Sequence, residues 1–387
     1  MELPSGAHIH LIAACGTAMG SLAGMLCERG YRVTGSDKRV YPPMSTMLED
    51  LGILLHEGFA AEHLDPSPDL IVIGNAVSRG NPEVEAALSR RIPYLSLPEI
   101  IRDFFIRGKH SVVVTGTHGK TTTTALIAHL LTVCELDPSF LVAGLPQNFN
   151  RSYRLGQGEH FVIEGDEYDS AFFAKWAKFF YYLPDILVIN NIEFDHADIY
   201  QDLAEITKTF GQVINLVPPN GLILANGSDP NITDLISNAP APVQTFGLEE
   251  DAFWRATNLQ TSAQSTHFTL QKAGSTLGTF ELPMSGTHNV RNALASLAIG
   301  LDAGLTPDQL RKALCSFAGI KRRQEIVGHI NDILLIDDFA HHPTAVSLTL
   351  AGLKQANPER RLLAVFEPAS ATNARALFEK RYIEAFA

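Results

Sequence analysis

Residues 111–124 read Ser-Val-Val-Val-Thr-Gly-Thr-His-Gly-Lys-Thr-Thr-Thr-Thr, and this stretch decides the fold. An apolar run is followed by Gly116, Gly119, Lys120 and Thr121, and an amphipathic helical pattern comes next. The order predicts a buried strand, a phosphate-binding loop and a helix. Backbone N–H groups at the start of a helix bind phosphate oxygens, and a lysine adds a point charge. The stretch therefore indicates an ATP-consuming enzyme.

The match to the general phosphate-loop pattern is incomplete, because Val114 stands where the pattern has its first glycine. The Thr121 hydroxyl is expected on Mg²⁺, as in other loops of this kind. The alternative interpretation is a Gly- and Thr-rich turn that binds nothing. The apolar run before the loop and the Lys-Thr pair favour the phosphate site.

Composition narrows the class of protein. The chain has 387 residues, 45% hydrophobic and 19% charged, which is ordinary globular composition and suggests two or three domains. A net charge of −12 disfavours a nonspecific nucleic-acid partner. The four cysteines are scattered without a CxxC pair, so a reducing cytoplasm is expected, and no targeting or membrane-spanning segment is predicted.

Strands and helices alternate along much of the chain, which predicts parallel sheets and an α/β fold. The predicted domains are residues 1–108, 109–318 and 319–387, the last about half of a typical α/β domain and therefore expected to be truncated. The predicted strands are 8–14, 32–37, 70–74, 111–115, 161–164, 186–190, 333–337 and 362–366, and a helix is predicted over 292–301.

Polar residues follow the central strands, where open α/β sheets bind ligands. Glu164 ends one strand and is followed by Asp166, Glu167 and Asp169, so Glu164 is the first candidate for Mg²⁺. A solvated acidic loop is the alternative for the three later acids. His196 follows the next strand, and a structural histidine is favoured there because Mg²⁺ prefers oxygen ligands.

Two further segments are weaker signals. His288 and Asn292 lie four residues apart on one predicted helix face, where amide groups suit a purine edge, although an Asn-capped helix start explains them equally well. Asp37 lies 17 residues after Gly20, close to the spacing of a dinucleotide fold, although Gly16 to Gly20 is not a true GxGxxG.

The order of these motifs resembles the Mur ligases, which join amino acids or peptides to UDP-N-acetylmuramate. The resemblance covers essentially the whole chain. It is carried by 115–122, Glu164 to Glu167, Asp195-His196, His288-Asn289 and 338–343. It implies three domains: a Rossmann-like amino-terminal domain, a P-loop ATPase-like central domain and a Rossmann-like carboxyl-terminal domain.

Within the family, residues 41–46, 166–173 and 191–198 resemble a recycling branch. Its members join UDP-N-acetylmuramate to the salvaged tripeptide L-Ala-γ-D-Glu-meso-diaminopimelate through an acyl phosphate. The implied substrates are these two molecules and ATP, with Mg²⁺ as cofactor and a monomer or weak homo-oligomer as the state. No lysine is assigned to the carbamylated position of several sister branches, because Lys208 cannot be placed in register.

The resemblance also implies roles for individual residues. Lys120, Glu164 and His196 are the implied catalytic residues, and Thr121, Glu164 and His196 the implied metal ligands. The implied ATP-binding residues are Gly116, Thr117, His118, Gly119, Lys120, Thr121, Thr122, His288, Asn289, Asn292, Arg323 and Asp338. The implied UDP-sugar-binding residues are Gly16, Thr17, Met19, Gly20, Ser36 and Asp37.

Three alternatives stay open at this point. The nearest relative in the family adds L-alanine to UDP-N-acetylmuramate and shares most of the motifs. A nicotinamide-dependent oxidoreductase could use the first Gly-rich turn, but it leaves Lys120 without a role. A binding-only fragment with weak or absent turnover is expected if essential residues lie after Ala387.

Overall fold

The computed structural model describes residues 3–42, 44–262, 264–368 and 378–387. The amino-terminal part forms a five-stranded sheet with helices on it. Its strands are β1 His8–Ile12, β2 Arg32–Asp37, β3 Leu54–Glu57, β4 Leu70–Ile73 and β5 Tyr94–Ser96. Its helices are α1 Thr17–Glu28, α2 Met44–Asp50, α3 Pro82–Arg90 and α4 Leu97–Ile101, with a 3₁₀ turn at Ala61–Leu64 and a π-turn at Arg102–Ile106.

This sheet is parallel throughout, in the order β3-β2-β1-β4-β5. The strand order reverses between β1 and β4, and such a switch point is where doubly wound folds bind ligands. The loop from β1 into α1, which contains Gly16, opens at that point. The expected Rossmann-like topology is therefore confirmed.

The central part is built on a ten-stranded sheet, in the order β17-β16-β15-β14-β13-β12-β6-β9-β7-β8. Its strands are β6 His110–Thr115, β7 Ser139–Leu141, β8 Tyr153–Arg154, β9 His160–Glu164, β12 Ile186–Ile189, β13 Leu222–Asn226, β14 Val243–Gly247, β15 Trp254–Thr261, β16 Thr266–Lys272 and β17 Ser275–Leu282. A separate hairpin pairs β10 Asp169–Ala171 with β11 Ala174–Ala177, and the helices are α5 Lys120–Val133, α6 Leu203–Ile214, α7 Pro230–Ile236, α8 Thr287–Asp302 and α9 Pro307–Cys315, with a 3₁₀ turn at Lys178–Tyr181.

Strand β6 pairs in parallel with β9 on one side and with β12 on the other. Val114 lies opposite Glu164, and Thr115 lies opposite Ile189. Because all three strands end in register, the residues that follow them meet at one edge of the sheet. The phosphate loop is the β6–α5 connection at that edge.

The carboxyl-terminal part contains an antiparallel hairpin and two helices, which are β18 Glu325–Ile330, β19 Ile333–Asp337, α10 Pro343–Ala356 and α11 Glu379–Phe386. The predicted strand at 362–366 is wrong. Its residues form no ladder with any described strand, and Leu363 and Val365 are 76% and 95% exposed. The predicted helix at 292–301 begins earlier, at Thr287, because Gly286 adopts a positive φ of 93° and starts the helix there.

Apolar packing joins the first two parts. One core contains residues of α1 and β1 together with residues of the central sheet. A Cβ built on Gly24 of α1 would lie 2.1 Å from the Tyr153 hydroxyl of β8, so α1 abuts the central sheet where only glycine fits. Among the described helices, none is long and apolar enough to cross a membrane.

A buried carboxylate stabilises the amino-terminal part. Glu83 of α3 is fully buried, accepts a 2.5 Å hydrogen bond from the Ser36 hydroxyl and lies 2.6 Å from His63 Nδ1. His10 Nε2 is 3.6 Å away. Burial raises the pKa of Glu83, but these polar neighbours outweigh it and hold the pKa below its ordinary value.

We expect Glu83→Gln to lower the free energy of unfolding by roughly 2–4 kcal/mol at neutral pH, because it removes a buried charge from two close polar partners. A carboxyl with a lowered folded-state pKa stabilises the protein above its ordinary pKa and loses that effect as the pH falls through the folded value. The difference between the wild type and the variant should therefore shrink in acid.

Urea titrations at pH 7 and in acid measure this difference in the first unfolding transition. Glu85→Gln, on the same helix but in an exposed pair with Arg79, is the matched control and should behave like the wild type. Equal effects of the two substitutions would contradict the assignment.

Candidate active site

One cavity of about 1930 Å³ runs between the three parts of the chain. It is lined from Asp37 in the first part, past Lys120 and Glu164, to Asp338 in the third. The predicted site residues that line it are Gly16, Thr17, Met19, Asp37, Thr117, His118, Gly119, Lys120, Thr121, Thr122, Glu164, His196, His288, Asn289, Asn292, Arg323 and Asp338.

Three predicted residues do not line the cavity. Gly116 lies behind the loop, where its φ of 130° allows a sharp turn and a Cβ would come within 3.0 Å of Asn190 and Asn191. Gly20 faces Met44, and a Cβ on it would lie 2.2 Å from the Met44 Cε. Ser36 is buried and donates to Glu83, as described above. Sequence spacing cannot separate residues that bind a ligand from residues that pack behind the site.

The phosphate loop is held by the residues that follow β12. Asn191 accepts a 2.7 Å hydrogen bond from the His118 backbone N–H and donates a 3.1 Å bond to the His118 carbonyl. The Thr117 hydroxyl accepts from the Glu193 N–H at 2.9 Å. These side-chain and backbone bonds fix the loop before α5 begins at Lys120.

Lys120 is bound by a buried carboxylate. Its Nζ donates to the Gly116 carbonyl at 2.7 Å and to Glu167 Oε2 at 2.9 Å, and Glu167 is 2% exposed. Burial lowers the pKa of Lys120, but Glu167 and Asp166 outweigh it and raise the pKa. Lys120 is therefore a positive charge at the mouth of the loop.

Glu167 is the residue of the acidic cluster whose contacts with Lys120 and His196 the sequence interpretation did not predict. The residue was recognised as part of an acidic cluster, but nothing in the cluster indicated which acid faces the loop. The structure places Glu167 between Lys120 and His196, whose Nε2 donates to Glu167 Oε1 at 3.0 Å. The acid therefore orients two of the predicted catalytic side chains at once.

Glu164 and Thr121 form a second polar pair. The Thr121 hydroxyl donates to Glu164 Oε2 at 3.1 Å, and the Ala143 N–H donates to Oε1 at 2.6 Å. Burial raises the pKa of Glu164 above its ordinary value. Arg323 Nη2 lies 3.4 Å from the same hydroxyl, which brings the third part of the chain to this pair.

His196 is held in an unusual backbone conformation. Its φ is 56°, in the left-handed region that non-glycine residues seldom occupy. Ligand atoms of Asp166, Glu167 and His196 lie within 4.8 Å of one another and could hold a metal ion. The structure thus brings together two oxygen-rich groups, one at Thr121 and Glu164 and one around His196.

The start of α8 lines one side of the cavity. His288 and Asn292 lie on the same side of the helix, as expected from their spacing, and both line the cavity. Asn289 and Asn292 are buried. Burial lowers the pKa of His288 to about 4, with Arg291 and His118 adding to the effect, so its imidazole is neutral.

The third part contributes Asp338, which accepts backbone hydrogen bonds from Gln324 at 2.8 Å and Ala340 at 2.7 Å. The bond from Gln324, which precedes β18, holds the two ends of the β18–β19 hairpin together. At the opposite end of the cavity, Asp37 accepts from the Cys15 N–H at 2.8 Å and fixes the β1–α1 turn.

Other cavity residues carried no sequence signal. Lys178 donates to Asp166 at 2.6 Å, although it lies 12 residues away in the chain. Further polar residues of the lining are Lys38, Arg39, Asn75 and Arg151. Polar residues of these types are common on protein surfaces, and only the packing of the three parts around one cavity brings these ones together.

Family models match most of the chain. The Mur ligase family catalytic domain matches residues 8–108, the Mur ligase middle domain matches 114–300, and the Mur ligase glutamate ligase domain matches 322–382. Together they span the three parts that surround the cavity.

Individual relatives agree with these matches. The UDP-N-acetylmuramate–L-alanyl-γ-D-glutamyl-meso-2,6-diaminoheptandioate ligase of Escherichia coli is 43% identical over 94% of this chain and 79% of its own length. The UDP-N-acetylmuramate–L-alanine ligase of Geotalea uraniireducens is 36% identical over 98% of this chain and 80% of its own length. The crystal structure of a murein peptide ligase from Psychrobacter arcticus superposes with a TM-score of 0.80 at 38% identity, covering 94% of this chain and 79% of that one. The cavity, the family models and these relatives agree, and the chain belongs to the Mur ligase family.

Proposed function

We propose that this chain joins UDP-N-acetylmuramate to L-alanyl-γ-D-glutamyl-meso-diaminopimelate with consumption of ATP, as a ligase of peptidoglycan recycling. The continuous cavity from Asp37 past Lys120 to Asp338 carries the proposal, because it can contain a nucleotide sugar and ATP at once. The E. coli relative, whose name states this reaction, supports the tripeptide as acceptor. The proposed domain boundaries are residues 1–108, 109–318 and 319–387, and the cytoplasmic location stays a prediction.

The residues fit ATP and Mg²⁺. His288 Nδ1 is buried and lacks a hydrogen-bond partner in the described part of the chain, so a bound base could supply one. A Cβ on Gly119 would lie 2.7 Å from Asn292 Oδ1, so the loop packs this closely against α8 only because residue 119 has no side chain. The Thr121 hydroxyl and the Glu164 carboxylate are hard oxygen ligands of the kind Mg²⁺ prefers. Bound Mg²⁺ would neutralise charge on the phosphate oxygens.

Side chains of this chain stabilise the transferred phosphoryl group and bind the two nucleotides. Lys120 stays protonated and stabilises charge that develops on the transferred phosphoryl group. The lactyl carboxylate of the sugar accepts the γ-phosphoryl group of ATP to give an acyl phosphate, and ADP leaves as the β–γ bond breaks. The amine of the tripeptide then attacks the carbonyl carbon, and phosphate leaves as the amide bond forms. In the third part of the chain, Arg323 and Asp338 bind ATP. The UDP end of the sugar nucleotide is bound in the first part by Gly16, Thr17, Met19 and Asp37.

The competing functions differ in what they require. A UDP-N-acetylmuramate–L-alanine ligase remains the closest alternative, because the G. uraniireducens relative has that name. A nicotinamide oxidoreductase is disfavoured, since it explains neither the match to the Mur ligase family nor a partly buried, charged lysine at position 120.

The acceptor distinguishes the two ligase functions. In a phosphate-release assay with UDP-N-acetylmuramate and ATP, we expect the tripeptide to support turnover at least about tenfold faster than free L-alanine, because a site shaped for a longer acceptor uses its remote groups to orient the amine. Faster release with L-alanine would favour the alternative. Binding of both nucleotides without release would identify a binding-only chain.

Lys120→Met tests the phosphate loop. We expect kcat to fall by roughly 10²–10³-fold, because a preorganised charge is removed from the phosphoryl group. UDP-N-acetylmuramate binding, measured by calorimetry, should be unchanged and shows that the variant is folded. Lys312→Met, at the exposed end of α9, is the matched control, and an equal loss in both variants would refute the role.

Glu167→Gln tests the residue whose position between Lys120 and His196 only the structure shows. We expect a roughly 10–100-fold lower kcat, because the neutral amide no longer orients Lys120 and His196. Glu359→Gln, an exposed position near the end of α10, serves as the control. Wild-type kinetics for Glu167→Gln would show that the buried acid serves only the stability of the fold.

A further inference from the structure

Glu193 lies three residues before His196 and has no role in the chemistry above. It follows β12 and contacts three separate parts of the site. Its Oε1 lies 3.3 Å from His118 Nε2 in the phosphate loop. Its Oε2 accepts from the Thr344 hydroxyl of α10 at 2.6 Å and from Arg381 Nη2 of α11 at 3.1 Å. One carboxylate thus joins the loop to both carboxyl-terminal helices.

The surroundings reinforce this contact. Arg381 also donates to the Thr344 hydroxyl at 3.0 Å, so the two donors are held together. His342 Nε2 donates to the Phe194 carbonyl at 3.2 Å, and the His118 and His342 rings lie 4.5 Å apart. Glu193 is 24% exposed, so its contacts are only partly screened by water. Burial raises the pKa of Glu193, but His118 and Thr344 outweigh it and lower the pKa to about 2.

The hydrogen-bond donors to Glu193 link its environment to the docking of the carboxyl-terminal part. A partly buried carboxylate is unfavourable unless polar groups compensate it. The hydroxyl and the guanidinium that compensate Glu193 both come from the carboxyl-terminal part, so this contact forms only when that part docks. The same part carries Arg323 and Asp338 into the cavity.

We propose that Glu193 is a positioning residue that couples docking of the carboxyl-terminal part to the phosphate loop through His118 on one side and Thr344 and Arg381 on the other. The consequence for catalysis rests on the proposed ligase function, because only then do Arg323 and Asp338 meet ATP. The docking itself does not depend on that function and can be measured without nucleotide.

Hydrogen–deuterium exchange of the full chain without ligands tests the docking. Glu193→Gln and Arg381→Met should each raise amide exchange in α10 and α11 by about tenfold, because each removes a charge-assisted bond. The double variant should exchange little faster than either single variant, since both remove the same contact. Exchange in β1, β4 and β6 should not change.

Two variants complete the test. Arg361→Met removes the same charge from an exposed position in the carboxyl-terminal part and should match the wild type. Thr344→Val removes the two hydrogen bonds of the hydroxyl with little change of shape but leaves the bond from Arg381 to Glu193. It should therefore show a smaller increase, which preserves the test if Glu193→Gln fails to fold. Wild-type exchange in Glu193→Gln, or an equal increase in Arg361→Met, would overturn the proposal.

Ligand binding then separates this proposal from the proposed function. Glu193→Gln should bind a nonhydrolysable ATP analogue roughly tenfold more weakly, because docking no longer preorganises Arg323 and Asp338. UDP-N-acetylmuramate affinity should be unchanged, since Asp37 is far from the contact in the chain. Unchanged affinity of this variant for the ATP analogue would contradict the proposed coupling between docking and the phosphate loop. If the wild type binds no ATP analogue, the ligase function fails, whereas the exchange result still decides the docking.

Discussion

Parallel pairing of β6 with β9 and β12 is the constraint on which the site depends. Strands that run in one direction end at one edge, so the loop after β6, the acids after β9 and the polar residues after β12 must meet there. Alternate apolar side chains of the three strands pack into two separate cores and hold this register, because a shift by one residue would move each side chain into the opposite core. The contacts among Lys120, Glu167 and His196 follow from that alignment.

Charge at this edge is compensated within the protein. Glu167 lies between Lys120 and His196, and Asp166 pairs with Lys178. Isolated buried charges would be costly, so each acid is stabilised by a cation or a hydrogen-bond donor close to it. The same compensation at Glu193 extends to the carboxyl-terminal helices, which links the electrostatics of the loop to the arrangement of the third part.

The stretches that resemble the recycling branch lie outside the phosphate loop. The recycling-type stretches at 41–46, 166–173 and 191–198 reach the cavity through Tyr41, Ser170 and Asp195 among others, although Pro43 lies outside the described residues. The two related ligases described above differ in the acceptor that their names state. Acceptor preference is therefore expected from residues around the loop and not from the loop itself.

Sequence alone determined the strands that precede the loops of the site, the strand-loop-helix order at 111–124 and the order of motifs, because periodicity and glycine placement are local properties of the chain. It predicted β2 and β19 without error, but it predicted a strand at 362–366, where apolar residues have no described partner strand. Tertiary structure decided that Glu167 faces Lys120, that Ser36 and Gly20 pack behind the cavity, and that Glu193 joins α10 and α11. Those contacts join side chains on sheets and helices that are distant in sequence, and no local sequence pattern encodes such long-range contacts.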